Sequence, residues 1–404
     1  MAVLHPFRAL RPAPEHVHEV ACVPYDVIDT SEARALAEGK PRSFLHVIRP
    51  EIDLPEGTDE HADEVYRMGA DNLRKLAASE ASIQEDEPSL YVYRLIRNGR
   101  PQTGIFGCVA VADYDDDTIL KHELTRPVKE DDRTRHILTQ QAHAEPVMLA
   151  YRDDSDVAAR IDRTTAQGPL YDFTADDGVQ HTIWRVGDAQ GLADAFGHVP
   201  TLYVADGHHR CKAASRAYHA EVERSDATPT DEVAFFPAAL FPMSNMDILP
   251  YNRVVKNLPD GPDAFLSALR ERVEVTENAE ATPQGPGYVS LYLDGTWYSI
   301  ELPESTTSGV SDRLDVARLS RFVLEPLLGI KDPRTDPNID FVGGVRGTDA
   351  LVDRVDSGRA QAAFSMHPTS MEELLAVSDA GELMPPKSTW FEPKLRSGLL
   401  VHLF

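Results

Sequence analysis

The chain reads as an α+β protein of mixed α/β character. Three observations carry this. Apolar residues recur at helical spacing in some stretches and alternate in others. Two turn pairs suited to positive φ, Asn98-Gly99 and Asp294-Gly295, lie between strand-like runs. An apolar run, Leu202-Tyr203-Val204-Ala205, passes through Asp206-Gly207 straight into an alanine-rich helical stretch.

The elements follow in order. "EVACVPYDVI" (19–28) reads as a strand entering a Pro-containing loop. Thr30 and Ser31 are read as N-caps of "EARALAEG", closed by Gly39. "SFLHVIRP" (43–50) reads as a strand stopped at Pro50, and 59–79 as a helix with Val65, Met68, Leu73 and Leu76 on one face. Residues 89–114 form the clearest hairpin, and a charged helix is expected at 129–142 before the strand "PVMLAY" (146–151). A helix at 154–165, strands near 169–174 and 179–186, and a helix at 188–196 lead to strand 201–205 and helix 207–223. "VAFFPAALFPM" (233–243) reads as a buried strand bulged at its prolines. Beyond Pro250 come the helix "DAFLSALRERV", the hairpin 289–302, the amphipathic helix "DVARLSRFVLEPLLG", the strand 360–367 and a helix capped by Ser370. The domain expectation is therefore a core over 1–250 with insertions, and an α/β region over 251–404 whose terminal segment returns to the pocket.

Composition is that of an ordinary globular protein, with 42% hydrophobic and 26% charged residues in 404, enough for more than one structural unit. No apolar run approaches the ~20 residues that span a bilayer. The start, "MAVLHPFRALRP", lacks a basic region followed by an apolar one, so a cytoplasmic protein with no membrane partner is expected. Three widely spaced cysteines argue against a disulfide framework and against a cysteine-rich zinc site; Cys22 and Cys108 read as small buried hydrophobes. Forty basic against 66 acidic residues leave a net charge of −26. Such a surface repels a phosphate backbone, so no nucleic-acid partner is expected. The same excess also suits solubility or salt adaptation of the host.

Five stretches carry possible chemistry. In "VADGHHRCKAA" (204–214) a strand opens a helix at Asp206-Gly207, and free N–H groups at a helix start stabilise an anion. Gly207 lets a phosphate approach the backbone, and Arg210 offers a planar fork for its oxygens. His208 and His209 can donate hydrogen bonds or shuttle protons, and Asp206 can hold magnesium or orient a hydroxyl. A plain turn with solvated histidines is the bland alternative. "KHELTRPVKEDDRTRH" (121–136) places His122, Glu123 and Thr125 before a helix carrying Lys129 and Arg133, which suits a base beside phosphate-holding cations, or equally a solvated helix. His122-Glu123 is not H-E-x-x-H, so a zincin site is unsupported. "VPYDVI" puts Tyr25 and Asp26 at an exposed corner, and "ILPYNRVV" puts Asn252 and Arg253 after a proline; both also read as structural turns. "MPPKSTWFEPKL" (384–395), with Lys387, Ser388, Thr389, Trp390 and Lys394, suits a lid over a ligand or a strap packed on the core.

These stretches, with Pro6-Phe7-Arg8 and "EPVMLAY", occur in an order that resembles the domain of unknown function 1015 family across essentially the whole chain. The resemblance implies a ParB/sulfiredoxin-like nucleotide-binding core elaborated with further α/β units. Free serine kinases, within that broader group, use a similar D-G-H-H-R stretch to move phosphate between an adenine nucleotide and L-serine with magnesium. Carried over, Asp206, His208, His209 and Arg210 would handle phosphate and metal, with Asp206 the metal ligand. A glutamate is the base in those kinases, and Glu123 is the candidate here. This chain departs from the family pattern at Cys211, where an aromatic is common, and at Tyr251-Asn252, where a His often precedes the Arg.

The resulting expectation is phosphoryl transfer on a small hydroxylated metabolite, serine or O-phosphoserine. It would run as a kinase or, in reverse, as a phosphatase, with Mg2+ and with ATP or ADP as phosphate donor or acceptor. Glu123, Asp206, His208 and His209 would be catalytic. Gly207, Arg210, Lys129, Arg133, Lys387, Ser388 and Thr389 would bind phosphate or nucleotide. His122, Thr125, Tyr25, Asp26, Asn252 and Arg253 would line the substrate pocket. A non-catalytic ParB-type nucleotide switch and a metal-dependent hydrolase stand as alternatives.

Overall fold

A computed structural model describes residues Met1–Phe404. Its helices and mixed or antiparallel sheets make it α+β. The chain folds as two units: Met1–Met246 together with Pro393–Phe404, and Asp247–Glu392. The division thus falls at 246/247, and the last twelve residues belong with the first unit rather than with the region before them.

The first unit is built on a nine-stranded sheet. From one edge its order is Ile119–Leu120, Leu202–Asp206, Val147–Tyr151, Phe235–Pro242, Arg100–Ala110, Tyr91–Arg97, Gln180–Arg185 and Tyr171–Thr174, with Leu4–His5 paired to Arg100–Ala110. Two pairings are parallel, Leu202–Asp206 with Ile119–Leu120 and Phe235–Pro242 with Val147–Tyr151; the others are antiparallel. Val147–Tyr151 is buried throughout, which is why its sequence shows no polar alternation. A smaller sheet, ordered Ser82–Gln84, Ala9–Pro12, Val401–Leu403 and Ala142–His143, covers a second apolar core with the helices Thr30–Ala37, Leu45–Ile48 and Asp63–Ala77.

The second unit holds a six-stranded antiparallel sheet, ordered Glu274–Glu277, Thr296–Glu301, Tyr288–Leu293, Ala362–Met366, Tyr251–Val255 and Ile339–Gly343. A two-stranded ribbon joins Ile248–Leu249 to Trp390–Phe391.

Several expectations need correcting. Residues 43–50 are not a strand: Leu45–Ile48 is a short helix, followed by a 3-10 turn from Pro50. Its four apolar neighbours are too few for periodicity to separate the two states. Residues 19–28 contain the helix end Val17–Val20 and a 3-10 turn at Tyr25–Val27, with only a single bridge from Cys22 to Ser397. The cap of Thr30–Ala37 is Asp29, in a capping box with Glu32, not Thr30 or Ser31. Phe235–Leu240 pairs with Arg100–Ala110 in unbroken register, so its prolines make no bulge. The long helix expected at 315–329 is interrupted by a π-helical turn, Ser320–Leu324, just before Pro326, whose ring and missing N–H disturb the preceding turn. All three cysteines are free and buried. No helix is long and apolar enough to cross a membrane.

Candidate functional site

The corner at Asp206-Gly207 lies where the register of Leu202–Asp206 against Val147–Tyr151 shifts between Val204 and Asp206. Gly207 takes φ +103, a left-handed conformation that L side chains avoid. A Cβ there would sit 3.1 Å from the Arg210 guanidinium and 3.2 Å from Val147. Glycine therefore lets Arg210 fold back beneath the turn. The helix His208–Ser225 that follows has no side-chain cap, so its first N–H groups remain available to an anion.

Arg210 is buried, and its fork is committed to the protein. It donates to the carbonyl of Pro146, and Nη2 lies 3.2 Å from Asp206 Oδ2 and 3.6 Å from Asp26 Oδ2. The sequence suggests a phosphate fork; the structure instead shows a guanidinium that organises two carboxylates. Lys394 Nζ stands 3.6 Å from Asp206 Oδ2. Burial pushes the Asp206 carboxyl up, but Lys394, then Arg210 and His208, outweigh it and hold it at about 2. Asp206 is thus anionic at any physiological pH.

The two histidines anchor a loop. His208 Nε2 accepts the backbone N–H of His122 at 3.5 Å, and the rings meet edge to face at 4.4 Å between centroids. His209 Nε2 accepts the N–H of Arg126 at 3.0 Å. Burial depresses all three rings: His122 to about 4, His208 well below its ordinary value with His122 adding to the effect, and His209 below it with Arg126 adding. They are neutral at pH 7. With Nε2 accepting, His209 carries its proton on Nδ1 and can donate it in a hydrogen bond. Glu123, half-buried, lies on the loop between these two anchor points.

Behind the corner is a closed ionic layer. Arg133 lies 2.7 Å from Asp132, 3.3 Å from Glu145 and 4.0 Å over the ring of Tyr25. Glu145 also accepts the N–H of Tyr25 at 3.3 Å, and burial raises its carboxyl despite Arg133 and Arg210. Arg133, expected from the sequence to bind phosphate, and Tyr25, expected in the substrate pocket, are both buried in this layer. The Thr125 hydroxyl is bonded to Glu130, which also holds Arg216 of the motif helix at 3.1 Å. Lys129 is half-exposed, and its charge contributes to depressing His209. Asp26 keeps 38% of its side chain exposed.

Five of the expected site residues fall in the second unit. Asn252 Oδ1 accepts the N–H of Met366 at 2.9 Å, an internal sheet bond. Ser388 is buried and its hydroxyl bonds the Pro385 carbonyl at 2.6 Å, while its own carbonyl accepts from Thr369 at 3.1 Å. Thr389 is half-buried. Arg253 donates to the carbonyls of Tyr251 and Lys387, the latter at 3.0 Å, and Lys387 Nζ lies 5.2 Å over the Tyr251 ring. The first unit gains what sequence reading did not assign: Lys394, noticed only as part of the 384–395 segment, is the cation at Asp206. No local pattern could have found it, since it comes from a distant segment with no periodicity.

The residues do not fit a resident metal ion. No three His, Cys, Asp or Glu side chains are placed to hold one. Asp206 is already neutralised by two cations, and the Nε2 atoms of His208 and His209 are occupied by backbone N–H groups. The metal-hydrolase alternative loses its ligand set.

A family model described as "Protein of unknown function (DUF1015)" matches residues 4–317. No curated protein matches. Among solved structures, the chain is similar to SbnI with a C-terminal truncation from Staphylococcus aureus, at 14% identity and TM-score 0.41, covering 74% of this chain and 87% of that one. A free serine kinase in complex with AMP gives 15% identity and TM-score 0.36 over 73% of this chain and 92% of the other. A conserved hypothetical protein from Pyrococcus furiosus gives 14% and 0.36 over 73% and 95%.

Proposed function

The chain belongs to the DUF1015 family, and from that premise we propose that its first unit transfers a phosphoryl group to or from a small hydroxylated metabolite, serine or O-phosphoserine, with ATP or ADP as donor or acceptor. The observation that supports this most is the pairing of an uncapped helix start at Gly207 with Lys394 fixed on Asp206. Phosphoryl transfer needs charge neutralisation and positioning more than covalent chemistry. In this reading the phosphate lies on the free N–H groups of the motif helix. Asp206 holds Lys394 in place, and Lys394 and Lys129 neutralise the phosphate. His209 donates through Nδ1. Glu123 takes the proton from the attacking hydroxyl, whose oxygen bonds the γ-phosphorus as ADP leaves.

One observation favours a second reading, nucleotide held without transfer. Asp206, the carboxylate at the corner, is neutralised by Arg210 and Lys394, so the corner can hold a phosphate without itself taking a proton. The test is turnover of serine with ATP and of O-phosphoserine with ADP. Lys394→Met and Asp206→Asn are expected to lower the rate about 100-fold. Wild-type rates in both variants would sink the transfer reading, and tight nucleotide binding with no turnover in the native protein would establish the holding one.

A further inference from the structure

Five arginines are buried: Arg49, Arg133, Arg210, Arg253 and Arg396. Four meet a carboxylate: Arg49 meets Glu51 at 2.9 Å, Arg133 meets Asp132 at 2.7 Å, Arg210 meets Asp206 at 3.2 Å and Arg396 meets Asp177 at 2.5 Å. Arg253, the deepest at 3% exposure, meets none. In a chain with 66 acidic residues this is not for want of carboxylates. Two of its five N–H groups go to backbone carbonyls, which carry no net charge to offset the guanidinium. Burial pulls the Arg253 guanidinium down to about 10, with only Tyr251 opposing.

A second cation, Lys387, is bonded to it through its main chain. The Lys387 carbonyl accepts from Arg253, and its ammonium lies above the Tyr251 ring. Lys387 holds φ +59. Of the seven non-glycine residues with positive φ, five are Asn or Asp and one is Gln; Lys387 is the lone cation. A lysine rarely adopts that conformation, and such strain points to a task for the side chain. Half-exposed Tyr251, Phe341 and Trp390 surround the pair, with ring centroids 5.9 and 5.1 Å from Tyr251. Trp390 lies on the backbone of Gly343, where a Cβ would come 2.8 Å from its ring.

We propose that the second unit carries an oxyanion site of its own, in which Lys387 and Arg253 hold the phosphate group of a small molecule between half-exposed aromatic rings. The anion meets the Lys387 ammonium at the surface, and Arg253 supplies its charge from beneath. Phosphate suits the pair better than a single carboxylate, because it brings up to two charges to two cations. The inference does not depend on the transfer reading of the first unit.

The test is calorimetric titration of pyrophosphate into full-length protein carrying Lys394→Met, which disables the first-unit cation. That protein is expected to bind pyrophosphate, and adding Lys387→Asn, which tolerates the left-handed conformation, is expected to weaken binding about tenfold. Arg253→Met should do the same; if it unfolds the protein, the Lys387 variant decides alone. Binding unchanged by Lys387→Asn, no binding at all, or succinate bound as well as pyrophosphate would each overturn the inference. Failure of the transfer reading would appear separately, as absent turnover with this titration intact.

Discussion

Arg210 and Arg253 are the same residue type, both buried, one in each unit, and they live under opposite electrostatics. Arg210 is enclosed by Asp206, Asp26 and Glu145, so its charge is answered inside the protein. Arg253 is answered by two carbonyl dipoles and by the Phe341 ring, 5.6 Å from its guanidinium carbon. A buried cation among carboxylates is structural support; a buried cation without them is a standing attraction for an anion from outside. In the reading proposed for the first unit, the phosphate therefore meets Lys394, Lys129, His209 and the helix start rather than Arg210.

The largest effect should come from breaking the answered charge. Arg210→Met removes the buried cation that Asp206, Asp26 and Glu145 share and is expected to cost about 3–5 kcal/mol, read from urea unfolding. Arg253→Met removes a buried charge that no carboxylate needs, and should cost about 1 kcal/mol or less. Equal costs would break the comparison. Next in size is Gly207→Ala, which forces a Cβ into φ +103 against Arg210 and should cost about 1–3 kcal/mol. The corresponding Lys387→Asn change relieves a strained position in the second unit and should alter stability by no more than about 0.5 kcal/mol.

A subtler prediction concerns acid. The folded pKa of His209 lies below the ordinary ~6.5, and that of His122 at about 4. Between those values the unfolded chain binds protons that the folded chain does not. The stabilisation from these rings is therefore full above about pH 6.5 and is lost as pH falls toward 4. His209→Gln keeps an acceptor for the Arg126 N–H without titrating. It should make stability fall less steeply as pH drops below about 6.5. An unchanged slope would mean that the loop anchor at Arg126 is not what acid attacks.

Much of this was legible beforehand where the signal is local. The strand and helix flanking Asp206-Gly207 come out within a residue or two, and the Asn98-Gly99 hairpin holds as far as Ala110, where a short helix Val111–Asp115 takes over, because turn chemistry and periodicity are short-range. The D-G-H-H-R corner was legible as a strand-to-helix turn, but not which partners its side chains meet. Nothing in the order of residues says that Arg210 turns inward to Asp26, or that His208 and His209 accept backbone N–H groups from 122 and 126. Those facts arise from tertiary packing between segments far apart in sequence. Leu45–Ile48 was misread for the opposite reason, a run too short to have a period.

The second unit interrupts the first, since Pro393–Phe404 packs with residues before 247 and Val401–Leu403 pairs with Ala9–Pro12 and Ala142–His143. On the ribosome this sets a timetable. Asp206 and its helix emerge early, yet Lys394 and the strand that closes the small sheet emerge after the whole inserted unit has been made. From its own synthesis until residue 394 has been made, the corner has Asp206 lacking one of its two cations. A prematurely ended chain can therefore have its second unit complete while Asp206 still lacks Lys394.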